Sequence, residues 1–109
     1  DICKWGGISG NLPVIKNILK SGARYCPHYL GGGIGLATSA HLLAAVGGDG
    51  LLEVDSNINP LREDLFAPKL TCGKIDIGHS VGIGIGNQHY QDFLSEHTKT
   101  ITLNMELKK

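Results

Sequence analysis

The sequence predicts an α/β fold with parallel strands, and three observations support this fold class. Segments with apolar residues at helical spacing alternate with short apolar runs, and glycine-rich loops connect them. Such alternation with short loops requires parallel strands joined by crossover connections. A polar residue, Asp1, His28 or Glu53, also lies at or near the end of each apolar run. Because α/β folds place their chemistry at strand ends, these three residues form the candidate site.

The first predicted helix covers residues 12–21, and a short strand follows it. Asn11 can cap the N-terminus of this helix, and Pro13 is tolerated in its first turn. Apolar residues recur at helical spacing until a glycine ends the element. The partly apolar run 23–27 then predicts a buried strand that delivers His28 to its carboxyl end.

A second helix is predicted at residues 35–46, with a second strand after it. The helix consists of good helix formers with an apolar stripe, and Gly47 supplies its C-terminal stop. An Asp-Gly turn leads into the strand at residues 51–55, which begins apolar and ends acidic. This strand carries Glu53.

The remainder of the chain gives weaker signals. Asparagines and prolines interrupt residues 56–74, where we expect an irregular segment with one turn around residues 61–65. Residues 75–85 alternate apolar residues with glycine, which fits a loose strand or an extended loop. A short helix is predicted at residues 90–97. Residues 101–107 alternate apolar and polar side chains with a period of two, which predicts a final strand with one wet face.

Composition excludes several function classes. Lysine plus arginine and aspartate plus glutamate number ten each, so no net charge attracts nucleic acid or an anionic membrane surface. The longest apolar run is far too short to span a bilayer. The three cysteines include no close pair of the kind that binds zinc or exchanges thiols. We therefore expect a cytoplasmic protein with a small-molecule partner, in which Cys3 and Cys26 act as core side chains.

Three strings resemble one known family. DICKWGGISG begins the chain, PHYLGGGIGLATSAHLLAAVGG covers residues 27–48, and GLLEVD contains Glu53. Together they resemble the C-terminal part of mandelate racemase-like and muconate lactonizing enzyme-like members of the enolase superfamily. The resemblance covers residues 1–70, in the order strand, helix, strand, helix, strand. Residues 71–109 form a C-terminal extended segment with the short helix and the final strand.

The resemblance implies a fold, a reaction and three residue roles. The fold is the last part of a (β/α)7β TIM-like barrel, and the reaction is removal of the proton α to a carboxylate of a hydroxy or sugar acid. His28 matches the family's base, and Asp1 matches the carboxylate that hydrogen-bonds this imidazole. Glu53 matches the residue that contacts a carboxylate oxygen of the substrate, as a hydrogen-bond donor in its protonated form. Dehydration and racemisation or epimerisation share this first step, so both outcomes stay open.

The family's cofactor is Mg²⁺, and the resemblance places its ligands on earlier barrel strands rather than in this chain. Three strand ends cannot close an eight-stranded barrel, and an open parallel edge leaves unpaired backbone groups. We therefore expect a fragment that is inactive alone and that associates with the remainder of the barrel or with further copies of itself.

Other interpretations of the same residues are open at this stage. Without the resemblance, Asp1 is an exposed terminal carboxylate and His28 is a hydrogen-bonded structural imidazole. The chain could be a non-catalytic remnant that keeps the packing motifs but no metal site. The GGGIG string, residues 31–35, could instead cradle a phosphate with backbone amides.

Overall fold

The computed structural model describes residues 1–66, residue 68 and residues 70–97. Helices dominate the described part, and its strands form one two-stranded antiparallel sheet. The predicted final strand at residues 101–107 lies outside the described residues. In chain order the elements are α1 (Gly7–Lys20), α2 (Gly33–Val46), α3 (Pro60–Glu63), β1 (Leu70–Thr71), β2 (Lys74–Ile75) and α4 (Asn87–His97).

The strands predicted at residues 23–27 and 51–55 are extended segments without a backbone ladder in the described structure. They nevertheless lie side by side and run in the same direction. The Leu51 amide donates to Cys26 Sγ over 3.4 Å, and the Tyr29 amide donates to a Glu53 carboxylate oxygen over 3.0 Å. In a sheet, backbone carbonyls would accept these two amide hydrogens, whereas here side-chain atoms accept them. Pro27 has no amide hydrogen, so it cannot donate a backbone hydrogen bond to the other segment.

The segment before α1 forms turns rather than a strand, so the first strand of the predicted order is absent from the described structure. Helix α1 begins at Gly7, five residues before the predicted start, and Gly6 precedes it in the left-handed region at φ 83°. Asn11 is therefore inside the helix. Its side-chain amide donates to the Gly7 carbonyl over 2.7 Å and to the Trp5 carbonyl over 3.3 Å.

Helix α2 closely matches its predicted span, beginning at Gly33 and ending at Val46, with Gly47 as its C-cap at φ 72°. Its buried residues do not form one stripe, because they occur on several sides of the helix. A helix that is apolar on most sides belongs in a protein interior. Accordingly, α2 packs against both α1 and α3 and is the central element of the described structure.

The hydrophobic core lies between α1, α2 and the first extended segment. Ile2, Ile15, Tyr25 and Leu42 form its buried centre, surrounded by partly buried aliphatic side chains from both helices. Cys3 and Cys26 are exposed, contrary to the expected core role. In the turn before α1 and in the extended segment, their neighbours in sequence, Ile2 and Tyr25, are buried instead.

Residues 70–75 form a hairpin in a stretch predicted to be irregular. Cys72 and Gly73 connect β1 to β2, with φ values of 50° and 73°. Two positive φ values in a two-residue loop are what a type I′ hairpin turn requires. The single turn of α3 and the longer helix α4 overlap their predicted positions. Within the described residues, no helix combines the length and apolar character that crossing a membrane needs.

Candidate active site

Two of the three candidate residues lie close together. His28 Nε2 is 3.8 Å from a Glu53 carboxylate oxygen, and the two side chains are 55% and 43% exposed. The pair comes from the adjacent extended segments, and the same carboxylate oxygen accepts the Tyr29 amide hydrogen over 3.0 Å. At this distance the imidazole and the carboxylate are within ion-pair range but beyond hydrogen-bond range, and their exposure leaves both accessible to a small molecule.

Residues around the two segments explain why they approach each other. Gly50 faces the Tyr25 backbone so closely that any added Cβ would overlap the Tyr25 carbonyl oxygen. The absent side chain allows the second segment to lie directly against the first. Leu52 and Val54, the neighbours of Glu53 in sequence, line a cavity of about 780 Å³. Glu53 is not among the residues that line it. Leu51 lines the same cavity, so the acidic side chain is separated from its apolar neighbours without a strict alternation along the segment.

Asp1 does not hydrogen-bond or ion-pair with His28 in the described structure, although the resemblance implied such a contact. One of its carboxylate oxygens accepts the Cys3 amide hydrogen over 2.9 Å. The other lies 3.4 Å from the Lys4 ammonium nitrogen. Asp1 thus satisfies both oxygens within its own turn, because the residues after it form turns instead of a strand that would direct the carboxylate toward the imidazole.

The hydroxyl of Tyr29 lies at the N-terminus of α2. A Cβ on Gly31 or Gly35 would overlap this hydroxyl. Burial raises the pKa of Tyr29, contact and a hydrogen bond with the Cys3 side chain raise it further, and hydrogen bonds from the Gly32 and Gly35 amides oppose these effects. The glycine-rich string therefore holds a side chain of its own protein where a phosphate would have to bind.

Arg62 organises the loop that follows Glu53. Its side chain is only 6% exposed and lies 3.7 Å from Asp55, with a further hydrogen bond to Glu63 over 3.1 Å. It also donates to the Asn57 carbonyl oxygen. These contacts fix the chain between Asp55 and α3, directly after the segment that carries Glu53.

The described residues do not form a metal site. Nowhere among them do three histidine, cysteine, aspartate or glutamate side chains come together in a metal-binding arrangement. Mg²⁺ prefers several oxygen ligands in near-octahedral geometry. The His28–Glu53 pair and the separately engaged Asp1 do not provide such a set, so the chemistry assigned below concerns these side chains alone.

Comparison with known protein families identifies the chain. The family model described as enolase C-terminal domain-like matches residues 1–91. The chain belongs to this family. The match spans α1, α2, α3, the hairpin and the first five residues of α4. It includes all three candidate residues, and it supports an α/β fold class and a family of enzymes. No curated protein and no solved structure is similar enough to count as a match.

The sequence-based interpretation missed two contributors to this site. Tyr29 belongs to no sequence motif that indicates a functional role. Arg62 was hidden in the stretch predicted to be irregular. A signal for Arg62 was available, because an arginine between Asp55 and Glu63 in an apolar turn has carboxylates on both sides.

Proposed function

We propose that this chain is the C-terminal part of a metal-dependent enzyme that removes the proton α to a carboxylate in a hydroxy or sugar acid. His28 acts as the base, and Glu53 contacts the substrate carboxylate. The Mg²⁺ ligands lie outside residues 1–109. Both a dehydratase and a racemase or epimerase fit this first step.

The observation that carries the proposal is the 3.8 Å approach of His28 Nε2 to Glu53, inside the stretch that matches an enolase C-terminal domain-like family. A general base must reach the proton it removes, and a partner must hold the carboxylate so that this proton faces the base. Two half-exposed side chains on parallel neighbouring segments suit this division of roles. The Tyr29 amide limits the freedom of the Glu53 carboxylate and so supports its positioning role.

Asp1 has a less direct part in the proposal. The family role of its carboxylate is to orient the base, whereas here both oxygens are engaged by Cys3 and Lys4. We propose that Asp1 turns to His28 when the remainder of the barrel, or a further copy of the chain, orders the segment around it. A cytoplasmic location and a homo-oligomer are part of the same proposal.

The test is exchange of the α proton with solvent deuterium. The protein is expressed from its complete reading frame, incubated in D₂O with Mg²⁺ and a panel of α-hydroxy and sugar acids, and followed by proton NMR. We expect the parent protein to exchange at least one acid. His28→Asn should reduce that exchange by about 10² to 10⁴-fold, the usual contribution of a positioned base.

The matched control is His79→Asn, because His79 is exposed and lies in the loop after β2. This variant should exchange at the parent rate. Full exchange in His28→Asn would refute the assignment of the base. Absence of exchange with every acid, together with no calorimetric heat on adding Mg²⁺, would favour the non-catalytic remnant instead.

A further inference from the structure

Tyr29 connects the three segments that carry the candidate residues. Its backbone follows His28 directly, its amide donates to Glu53 over 3.0 Å, and its side chain contacts Cys3 in the turn after Asp1. The side chain is 8% exposed, so this is an interior position rather than a surface contact. One residue thus reaches all three segments.

The glycine-rich string is shaped around the Tyr29 hydroxyl. The backbone positions of Gly31 and Gly35 approach the phenol oxygen so closely that neither accepts a Cβ. The backbone of Gly32 and Gly35, at the N-terminus of α2, lowers the pKa of this phenol and so opposes the effect of burial. The loop therefore fits the Tyr29 side chain and so helps to fix where the Tyr29 amide meets the Glu53 carboxylate.

We propose that Tyr29 is a positioning residue for the His28–Glu53 pair, with the glycine-rich string as the socket for its hydroxyl. The proposal rests on the proposed function, because it assigns Tyr29 a task in that reaction. When the hydroxyl is seated, the Tyr29 amide points at Glu53 and holds its carboxylate beside His28. Without the hydroxyl, the backbone between His28 and the loop gains freedom, and the amide of residue 29 is held less firmly against the Glu53 carboxylate.

The first test measures the contact and does not require activity. Tyr29→Phe removes only the hydroxyl and keeps the buried ring, so the fold should persist. We expect the amide of residue 29 to exchange with solvent deuterium at least fivefold faster in Tyr29→Phe than in the parent protein, as measured by ¹H–¹⁵N NMR. Glu53→Gln should accelerate the same amide, because it weakens the acceptor.

The matched control is Tyr25→Phe, since Tyr25 is equally buried on the same extended segment. Its substitution should leave the exchange rate of the Tyr29 amide unchanged. A Tyr29→Phe rate equal to the parent rate would overturn the proposal. Gly35→Ala provides a second variant, because the added Cβ displaces the hydroxyl from the other side and should accelerate the amide of residue 29 in the same way.

The second test asks whether Tyr29 acts through Glu53. The α-proton exchange rate is measured for Tyr29→Phe, Glu53→Gln and the double variant. A positioning residue predicts that Tyr29→Phe slows the parent protein about tenfold or more but has little further effect once Glu53 is replaced. Equal fold-losses in both backgrounds would reduce Tyr29 to a general packing role and overturn the proposal. A parent protein without exchange activity would refute the proposed function, while the amide measurement would still decide the contact.

Discussion

Residues 1–66 and residues 70–97 both contain regular structure, but only the first region buries side chains. Every buried residue in the described structure lies at or before Leu65. From Leu70 to Glu96, each side chain whose burial is described is exposed or only partly buried. The hairpin and α4 therefore form from local signals such as the Cys72–Gly73 turn, whereas the first region is held by tertiary packing.

This difference matters for the site. His28 and Glu53 lie in the packed region, and the contacts that bring them together run through Gly50 and Tyr29, which are themselves fixed by packing. Local structure of the kind in the second region opens easily, since few buried contacts oppose its opening. We therefore expect site geometry to follow the stability of residues 1–66 and to be insensitive to changes in residues 70–97.

The largest effect should come from truncating the same residue type in the two regions. Leu36→Ala truncates a residue that is 1% exposed in the first turn of α2, and we expect a loss of about 3 to 5 kcal/mol in the free energy of unfolding. Leu70→Ala removes a side chain that is 68% exposed in β1, and the loss should stay below about 1 kcal/mol. Urea unfolding followed by circular dichroism measures both. Equal losses would show that the two regions are packed alike.

A smaller effect should come from the buried arginine. Arg62→Ala leaves the Asn57 carbonyl without its donor and removes the buried ion-pair partner of Asp55, and we expect a loss of about 2 to 3 kcal/mol. The control is Arg24→Ala, because Arg24 pairs with Asp49 at the surface with both side chains more than half exposed. An exposed pair contributes about 0 to 1 kcal/mol. If the two arginine variants unfold at the same urea concentration, the burial of Arg62 does not determine its contribution to the free energy of unfolding.

Substitution of one glycine in each region offers a third comparison between residues 1–66 and residues 70–97. Gly50→Ala introduces a Cβ that overlaps the Tyr25 carbonyl oxygen, so the segments must separate, at a cost of about 1 to 3 kcal/mol. Gly86→Ala, before α4, meets no atom within 4 Å and requires no positive φ. It should be neutral within about 0.5 kcal/mol. NMR contacts between His28 and Glu53 should disappear in the first variant and persist in the second, and their persistence in Gly50→Ala would contradict this account.

The sequence predicted the features that depend on local chemistry. The span of α2 and its stop at Gly47 follow from helix propensity and glycine placement, and the structure confirms both. The convergence of Asp1, His28 and Glu53 was predicted from their places at the ends of apolar runs; the structure brings His28 within 3.8 Å of Glu53, but Asp1 contacts Cys3 and Lys4 instead. The family resemblance was also confirmed, by the match over residues 1–91.

Other features depend on partners that are distant in sequence, and these were not predictable. The ladder between residues 23–27 and 51–55 was expected from strand-like composition, but a two-stranded pair without further neighbours is marginal and Pro27 lacks a donor. The early start of α1 is set by the left-handed Gly6 rather than by a side-chain cap. The seat of the Tyr29 hydroxyl requires three-dimensional contact with Cys3 and the glycine-rich loop. The catalytic roles of Asp1, His28 and Glu53 stay predictions.

The smallest expected effect concerns how the free energy of unfolding changes at alkaline pH. Burial raises the pKa of Tyr29 above its ordinary value of 10.0, with the Cys3 side chain adding to the shift. The unfolded chain therefore loses this phenolic proton at a lower pH than the folded chain does. Stability is unaffected below about pH 10 and falls as the pH rises toward the folded-state pKa of Tyr29. Tyr29→Phe should reduce the slope of the free energy of unfolding against pH by at most about 1.4 kcal/mol per pH unit.

Urea unfolding at pH 9, 10 and 11 measures this slope for the parent protein and the variant. Tyr25→Phe is an informative companion, because burial alone raises the pKa of Tyr25. It should flatten the slope in the same direction but independently, so the double variant should show the sum of the two changes. Identical slopes in the parent protein and Tyr29→Phe would mean that the phenol ionises equally well in both states. The Tyr29 hydroxyl would then not be buried, and Tyr29 would no longer connect the packing of residues 1–66 to the His28–Glu53 pair.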